Sequence, residues 1–97
     1  MMVVSMLQMI IEIPGATSIK EKRSVLVSFK TRLAHKFKLS VAEVDLQQSL
    51  QFAQIGCAYV TNKQSHGESV LQKAVDYVEA NIPGRIHDFQ IHSEIYS

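Results

Sequence analysis

Seven of the ten lysines and arginines in this sequence fall between Ser18 and Lys38: Lys20, Lys22, Arg23, Lys30, Arg32, Lys36 and Lys38, with Glu21 as the only acid among them. The rest of the chain is acidic, so a net charge of +1 hides a strong asymmetry. Segregation of this kind points to a polyanionic partner or an acidic protein face. Placement sharpens the point, because Lys20, Lys22 and Arg23 follow a helix-start signal, Ser18 with Glu21 three residues on. The macrodipole is positive there, and each cation costs about a few tenths of a kcal/mol.

Two uses fit those charges. RNA or a ribosomal particle would be held through its phosphates by Lys20, Lys22, Arg23, Lys30, Arg32 and Lys36. A small anion or nucleotide would instead sit at the helix start, among the free amides, the turn Pro14-Gly15-Ala16-Thr17 and the first three cations. The plain alternative is a solvated basic face whose lysine and arginine stems cover the core edge.

Other reactive types lack a matching pattern. His35, His66, His87 and His92 have no chelating spacing, and no metal or cofactor is expected. The single Cys57 cannot form an internal disulfide and reads as a small buried hydrophobe in a reducing, cytoplasmic setting. Glu43 and Asp45 read as a solvated face of a strand rather than an acid–base pair. With no catalytic motif, a non-enzymatic binding protein is expected.

The elements that position these residues are legible. The 97 residues, 46% hydrophobic and 20% charged, suit one globular domain spanning 1–97. The apolar run from Met1 to Ile13 has no basic leader or cleavage site, and it is too short to cross a bilayer. It predicts a strand over Met2 to Ile13 that is apolar on both faces, ended by Pro14-Gly15. Ile19, Leu26, Phe29, Leu33 and Phe37 form the stripe of the first helix. Leu39 to Asp45 predicts a strand with Val41, Glu43 and Asp45 outward; Phe52 to Thr61 predicts another, apolar on both faces, with Gly56 as a bulge or close approach. Ser65 with Glu68 predicts a second capping box, a stripe of Leu71, Ala74, Val75, Val78 and Ile82 follows, and Asn81-Ile82-Pro83-Gly84 ends that helix. The last strand, Arg85 to Tyr96, alternates Phe89, Ile91 and Ile95 inward with Asp88, Gln90, His92 and Glu94 outward.

Strands apolar on both faces belong in the middle, and those polar on one face at the edges. With right-handed crossovers this gives an α+β, ferredoxin-like split βαββαβ fold: a four-stranded antiparallel sheet of order 4-1-3-2 with two helices on one face. The other face is left open, lined by Val4, Met6 and Ile10, and predicts a homodimer or a protein-binding adaptor surface. Acylphosphatases share the topology, but their phosphate loop needs an arginine where Pro14 to Thr17 has none.

The segments Val3-Val4, Ser18-Ile19-Lys20-Glu21-Lys22-Arg23, Ser40-Val41-Ala42-Glu43-Val44, Gly56 and His66 together resemble the YlxP-like family of small bacterial proteins, whose most specific feature is a Ser-Leu-Lys-Glu-Lys-Arg motif. The resemblance spans the whole chain. It implies a ferredoxin-like fold, a dimer, an unestablished function and, by gene association alone, ribosome biogenesis. Gln48, Leu50 and Phe52 depart from that family's pattern, which has an Asp, a Trp and an Arg there.

Overall fold

Strand β1 (Met2–Glu12) alternates between two environments: Val3, Ser5, Leu7, Met9 and Ile11 are buried, while Val4, Met6 and Ile10 are half-buried on the other face. The computed structural model describes residues 1–82 and 84–97, and after β1 it orders α1 (Ile19–Phe37), β2 (Ser40–Asp45), β3 (Phe52–Thr61), α2 (Gln64–Asn81) and β4 (Arg85–Tyr96). The strands pair antiparallel in the order β2-β3-β1-β4, the predicted ferredoxin-like sheet named from its other edge. β1 and β3 are central and β2 and β4 take the edges, as the polarity pattern predicts, with the helices covering one face only.

The core lies between the sheet and the two helices. Leu7, Met9, Ile11 and Ile55 meet Leu26, Phe29 and Leu33 of α1 and Leu71, Ala74, Val75 and Val78 of α2. Each large apolar side chain so buried contributes about 1.5–3 kcal/mol. Ser18 caps α1 as predicted, its hydroxyl accepting from Glu21 N at 3.1 Å, and Lys38 closes the helix in the left-handed region at φ 60°.

Several local expectations are corrected. α2 begins at Gln64 on an N-cap Lys63 with no side-chain cap, so Ser65 and Glu68 form no capping box. Ser65 falls inside the first turn, and Glu68 accepts from Gln64 Nε2 at 3.2 Å and from the Ser93 hydroxyl of β4 at 2.8 Å. The bulge expected at Gly56 lies on the partner strand, where Val44 is the extra residue; its Cγ1 would lie 3.0 Å from a Cβ at position 56, so glycine there makes room for it. Glu43 points to the helix side rather than outward. The predicted stop of α2 is met by Ile82, whose amide closes on Val78 O, while Pro83 lies outside the described residues. Phe89 and Ile95 share the register of buried Met9 and Val3, yet they stay 38% and 52% exposed because β4 is the outermost strand, with β1 as its only strand neighbour among the described residues. Among the described residues no helix is long and apolar enough to cross a membrane.

Candidate functional site

The basic segment is divided by its own helix. At 100° per residue position 22 falls on the same stripe as Leu26, Phe29 and Leu33, and Lys22 is accordingly buried, 1% exposed. Its Nζ donates to Leu46 O at 2.7 Å and Ser49 O at 2.6 Å and stands 3.1 Å from Glu43 Oε2. That last approach is a charge contact without hydrogen-bond alignment, since the same carboxylate oxygen is buried with no hydrogen-bond partner. Lys22 therefore pins the Gln-rich connection after β2 toward α1 and takes no part in the outer surface. The physical reason is that an ammonium inside the core edge must be surrounded by acceptors, and the connection supplies two carbonyls and a carboxylate.

The helix start is also occupied from within. Glu21 accepts from Thr17 N at its Oε2 and from the Thr17 hydroxyl at its Oε1, both at 2.9 Å. The Thr17 amide, and secondarily its hydroxyl, hold the Glu21 carboxyl below its usual range. At the helix start, then, Lys22 and the Thr17 amide are engaged within the protein, while Lys20 and Arg23 stay exposed.

Lys20, Arg23, Arg32 and Lys36 remain exposed and Lys30 half-exposed. They form two flanks of the buried stripe. Lys20, Arg23 and Lys30 lie on one side; Arg32 and Lys36 lie on the other, over the ring of Tyr77 of α2 at 5.7 and 5.3 Å. Beside Arg32 runs an open groove of about 310 Å³ lined by Ser24, Val25, Ser28, Phe29 and Ile82. Among the described residues none of these five cations has a carboxylate partner; the ion pairs there are Lys22 with Glu43, His87 with Glu12 and His92 with Glu94.

The open sheet face carries Val4, Met6 and Ile10 along β1. Across the β1–β3 pairing stand Val60 opposite Val4, Ala58 opposite Met6 and Gln54 opposite Ile10. Toward β4 the row turns polar, with Glu94, His92, Gln90 and Asp88. Gln54 Nε2 donates to Gln8 Oε1 at 3.4 Å in the middle of the face.

Two polar groups were not singled out from the sequence. Ser5, fully buried, bonds Ser93 at 2.8 Å, and Ser93 donates to Glu68, so a hydroxyl chain ties α2 to β1 and β4. His66 meets Tyr59 instead, Nε2 to the phenol oxygen at 3.2 Å, leaving no imidazole in the serine chain and hence no relay for a nucleophile. The sequence clues were a serine inside an apolar strand and a glycine, Gly67, inside a helix: a Cβ at 67 would fall 2.2 Å from Ser5 Oγ. Cys57 is buried and its thiol is pushed up to about 12 by desolvation, which removes it as a nucleophile. Among the described residues no three His, Cys, Asp or Glu side chains stand together as metal ligands.

The family model described as "Protein of unknown function (DUF503)" matches residues 4–91. The "Uncharacterized protein YlxP" of Bacillus subtilis (strain 168) is 34% identical over 65 residues, covering 67% of this chain and 71% of that protein. Among solved structures, the "De novo designed protein Foldit4" overlays with a TM-score of 0.55 at 5% identity over 100% of both chains, a likeness of fold alone. The "De novo designed protein Ferredog-Diesel" gives 0.48 at 9% identity over 92% of this chain and 83% of its own. The chain belongs to the DUF503 family.

Proposed function

We propose that this member of the family is a non-catalytic binding module that docks on RNA, in free form or on a ribosomal particle, through the outer surface of α1. One observation carries the reading: Lys20, Arg23, Lys30, Arg32 and Lys36 reach the surface without a carboxylate partner among the described residues. Their segment's only acid is tied to Thr17. The fold makes use of one cation there, Lys22, and leaves the others unneutralised. Two flanks of positive charge about a helix suit phosphate contacts, and the sheet offers no row of stacking aromatics. A cytoplasmic setting belongs to the same reading and is supported by the one free, buried cysteine.

Co-sedimentation with ribosomal particles and binding to a labelled ribosomal RNA fragment test it. If all five cations touch phosphate, log affinity falls with log salt at a slope of about −3.5 to −4.5. Lys20→Glu with Arg23→Glu and Lys30→Glu is expected to flatten that slope by about 2 to 3 while leaving unfolding unchanged. Unaltered binding of this variant would sink the proposal.

A second reading concerns the open face, favoured by half-buried Val4, Met6 and Ile10 beside Val60 and Val44, which are 63% and 49% exposed. It makes this face a homodimer interface. Sedimentation of the wild type against Met6→Lys checks it: a dimer that becomes monomeric supports the interface, and a monomeric wild type refutes it.

A further inference from the structure

The two sheet edges are built differently. β2 is short, six residues, broken by the bulge at Val44, with its following loop pinned by Lys22. Those are ordinary protections against unwanted strand pairing. β4 has twelve residues, and after its one bulge at His87 it continues in regular register from Asp88 to Tyr96 with no proline, glycine or lysine. As the outermost strand it has β1 on one side only, so the backbone groups on its other side lack a strand partner. On the helix-side face of this edge Phe89 and Ile95 are 38% and 52% exposed, with half-buried Ile91 between them.

Charge indicates what fits there. Tyr77 marks the flank of α2 that faces α1, so at 100° per residue Glu68, Gln72 and Glu79 lie on the flank toward β4, and the Glu68–Ser93 bond shows it directly. On the helix side of this edge α2 brings Glu68 and Glu79, and on the other face β4 brings Asp88 and Glu94; the two elements hold only Lys73 and Arg85 as lysine or arginine. A second copy offering its own β4 would bring the same acidic surface, and RNA would be repelled as well. An extended basic segment would be attracted.

We propose that the β4 edge, from Asp88 to Ile95, binds an extended basic peptide by strand addition. The peptide backbone pairs with β4, alternate apolar side chains cover Phe89, Ile91 and Ile95 on the helix side, and the lysines or arginines between them point to the other face and meet Asp88 and Glu94. The site lies apart from the α1 surface and does not depend on RNA binding there.

The probe is a fluorescent peptide of alternating lysine and valine, titrated with the full chain and mapped by amide chemical shifts. Expected results are shifts and slowed amide exchange confined to Asp88–Ile95, and affinity lowered about tenfold by Asp88→Lys with Glu94→Lys. Binding is expected to be lost when alternate peptide nitrogens are methylated, because the ladder then lacks donors. It should be unchanged in the Lys20→Glu, Arg23→Glu, Lys30→Glu variant, which separates this site from the RNA surface. Equal binding of the methylated peptide, equal binding of a glutamate–valine peptide, shifts centred on β2 and β3, or β4 pairing with β4 of a second copy would each overturn the proposal.

Discussion

Replacing Lys22 by methionine keeps most of the buried stem and removes the charge. In the folded chain that leaves Leu46 O, Ser49 O and the Glu43 carboxylate facing an apolar group at a site where Lys22 is 1% exposed. Breaking one side of a buried ion pair costs about 3–5 kcal/mol, most of it the penalty for the charge left behind. The lost bonds also free Leu46, held in the left-handed region at φ 64°, where a non-glycine residue stores about 1–2 kcal/mol. We expect Lys22→Met to lose about 3–5 kcal/mol in equilibrium urea unfolding, a large part of the ~5–15 kcal/mol typical of a domain. Adding Glu43→Leu should return about 1–3 kcal/mol, because the uncompensated carboxylate is gone while the two carbonyls stay orphaned. The double variant also provides a readable result if the single one does not fold. A single-variant loss under about 1 kcal/mol, or additivity within about 0.5 kcal/mol, would show that the pin carries no weight.

Gly67→Ala places a methyl 2.2 Å from Ser5 Oγ and 3.1 Å from Thr61 Cγ2, so overpacking should outweigh the helix gain and lower stability by about 1–2 kcal/mol in thermal or urea melts; a stabilised variant would contradict the packing. Glu21 has a folded pKa below its ordinary 4.5, so its contribution is full above that value and fades as pH falls through the depressed one. The melting-temperature gap between wild type and Glu21→Gln should therefore be present at neutral pH and close in strong acid, and a gap that widens in acid would reverse the sign. Cys57, buried with its thiol at about 12, should resist thiol reagents at neutral pH in the native state and react at the rate of unfolding; rapid native labelling would show that the strand opens.

Much of the fold was readable because period and polarity are local properties. Leu26, Phe29 and Leu33 mark a helix face in any context, and the two apolar faces of β1 and β3 suffice to place them centrally. The N-cap of α1 was readable for the same reason, since Ser18 accepts from Glu21 N within one turn, while the Glu21 carboxylate returns to Thr17 rather than to the Ser18 amide. That of α2 was misread because the helix starts earlier, at Gln64, which leaves Ser65 inside the first turn and Glu68 to bond Gln64 and, 25 residues away, Ser93. The basic run was visible as composition, but composition does not separate Lys22 from Lys20. Only its position on the stripe of Ile19, Leu26 and Phe29 hinted that it turns inward, and its partners come from residues beyond the helix.

Alone, the sequence determined the order of elements, which strands are central, the open face of Val4, Met6 and Ile10, and the concentration of positive charge on α1. Each follows from side-chain type and spacing along a single segment. The tertiary structure decided which cations are free, which sheet edge is blunted and which is bare, and that the acids of β4 and those of α2 flank that bare edge from opposite faces of the sheet. Those facts depend on long-range pairing. A lysine is buried only when distant carbonyls converge on it, and an edge is bare only when no other segment reaches it.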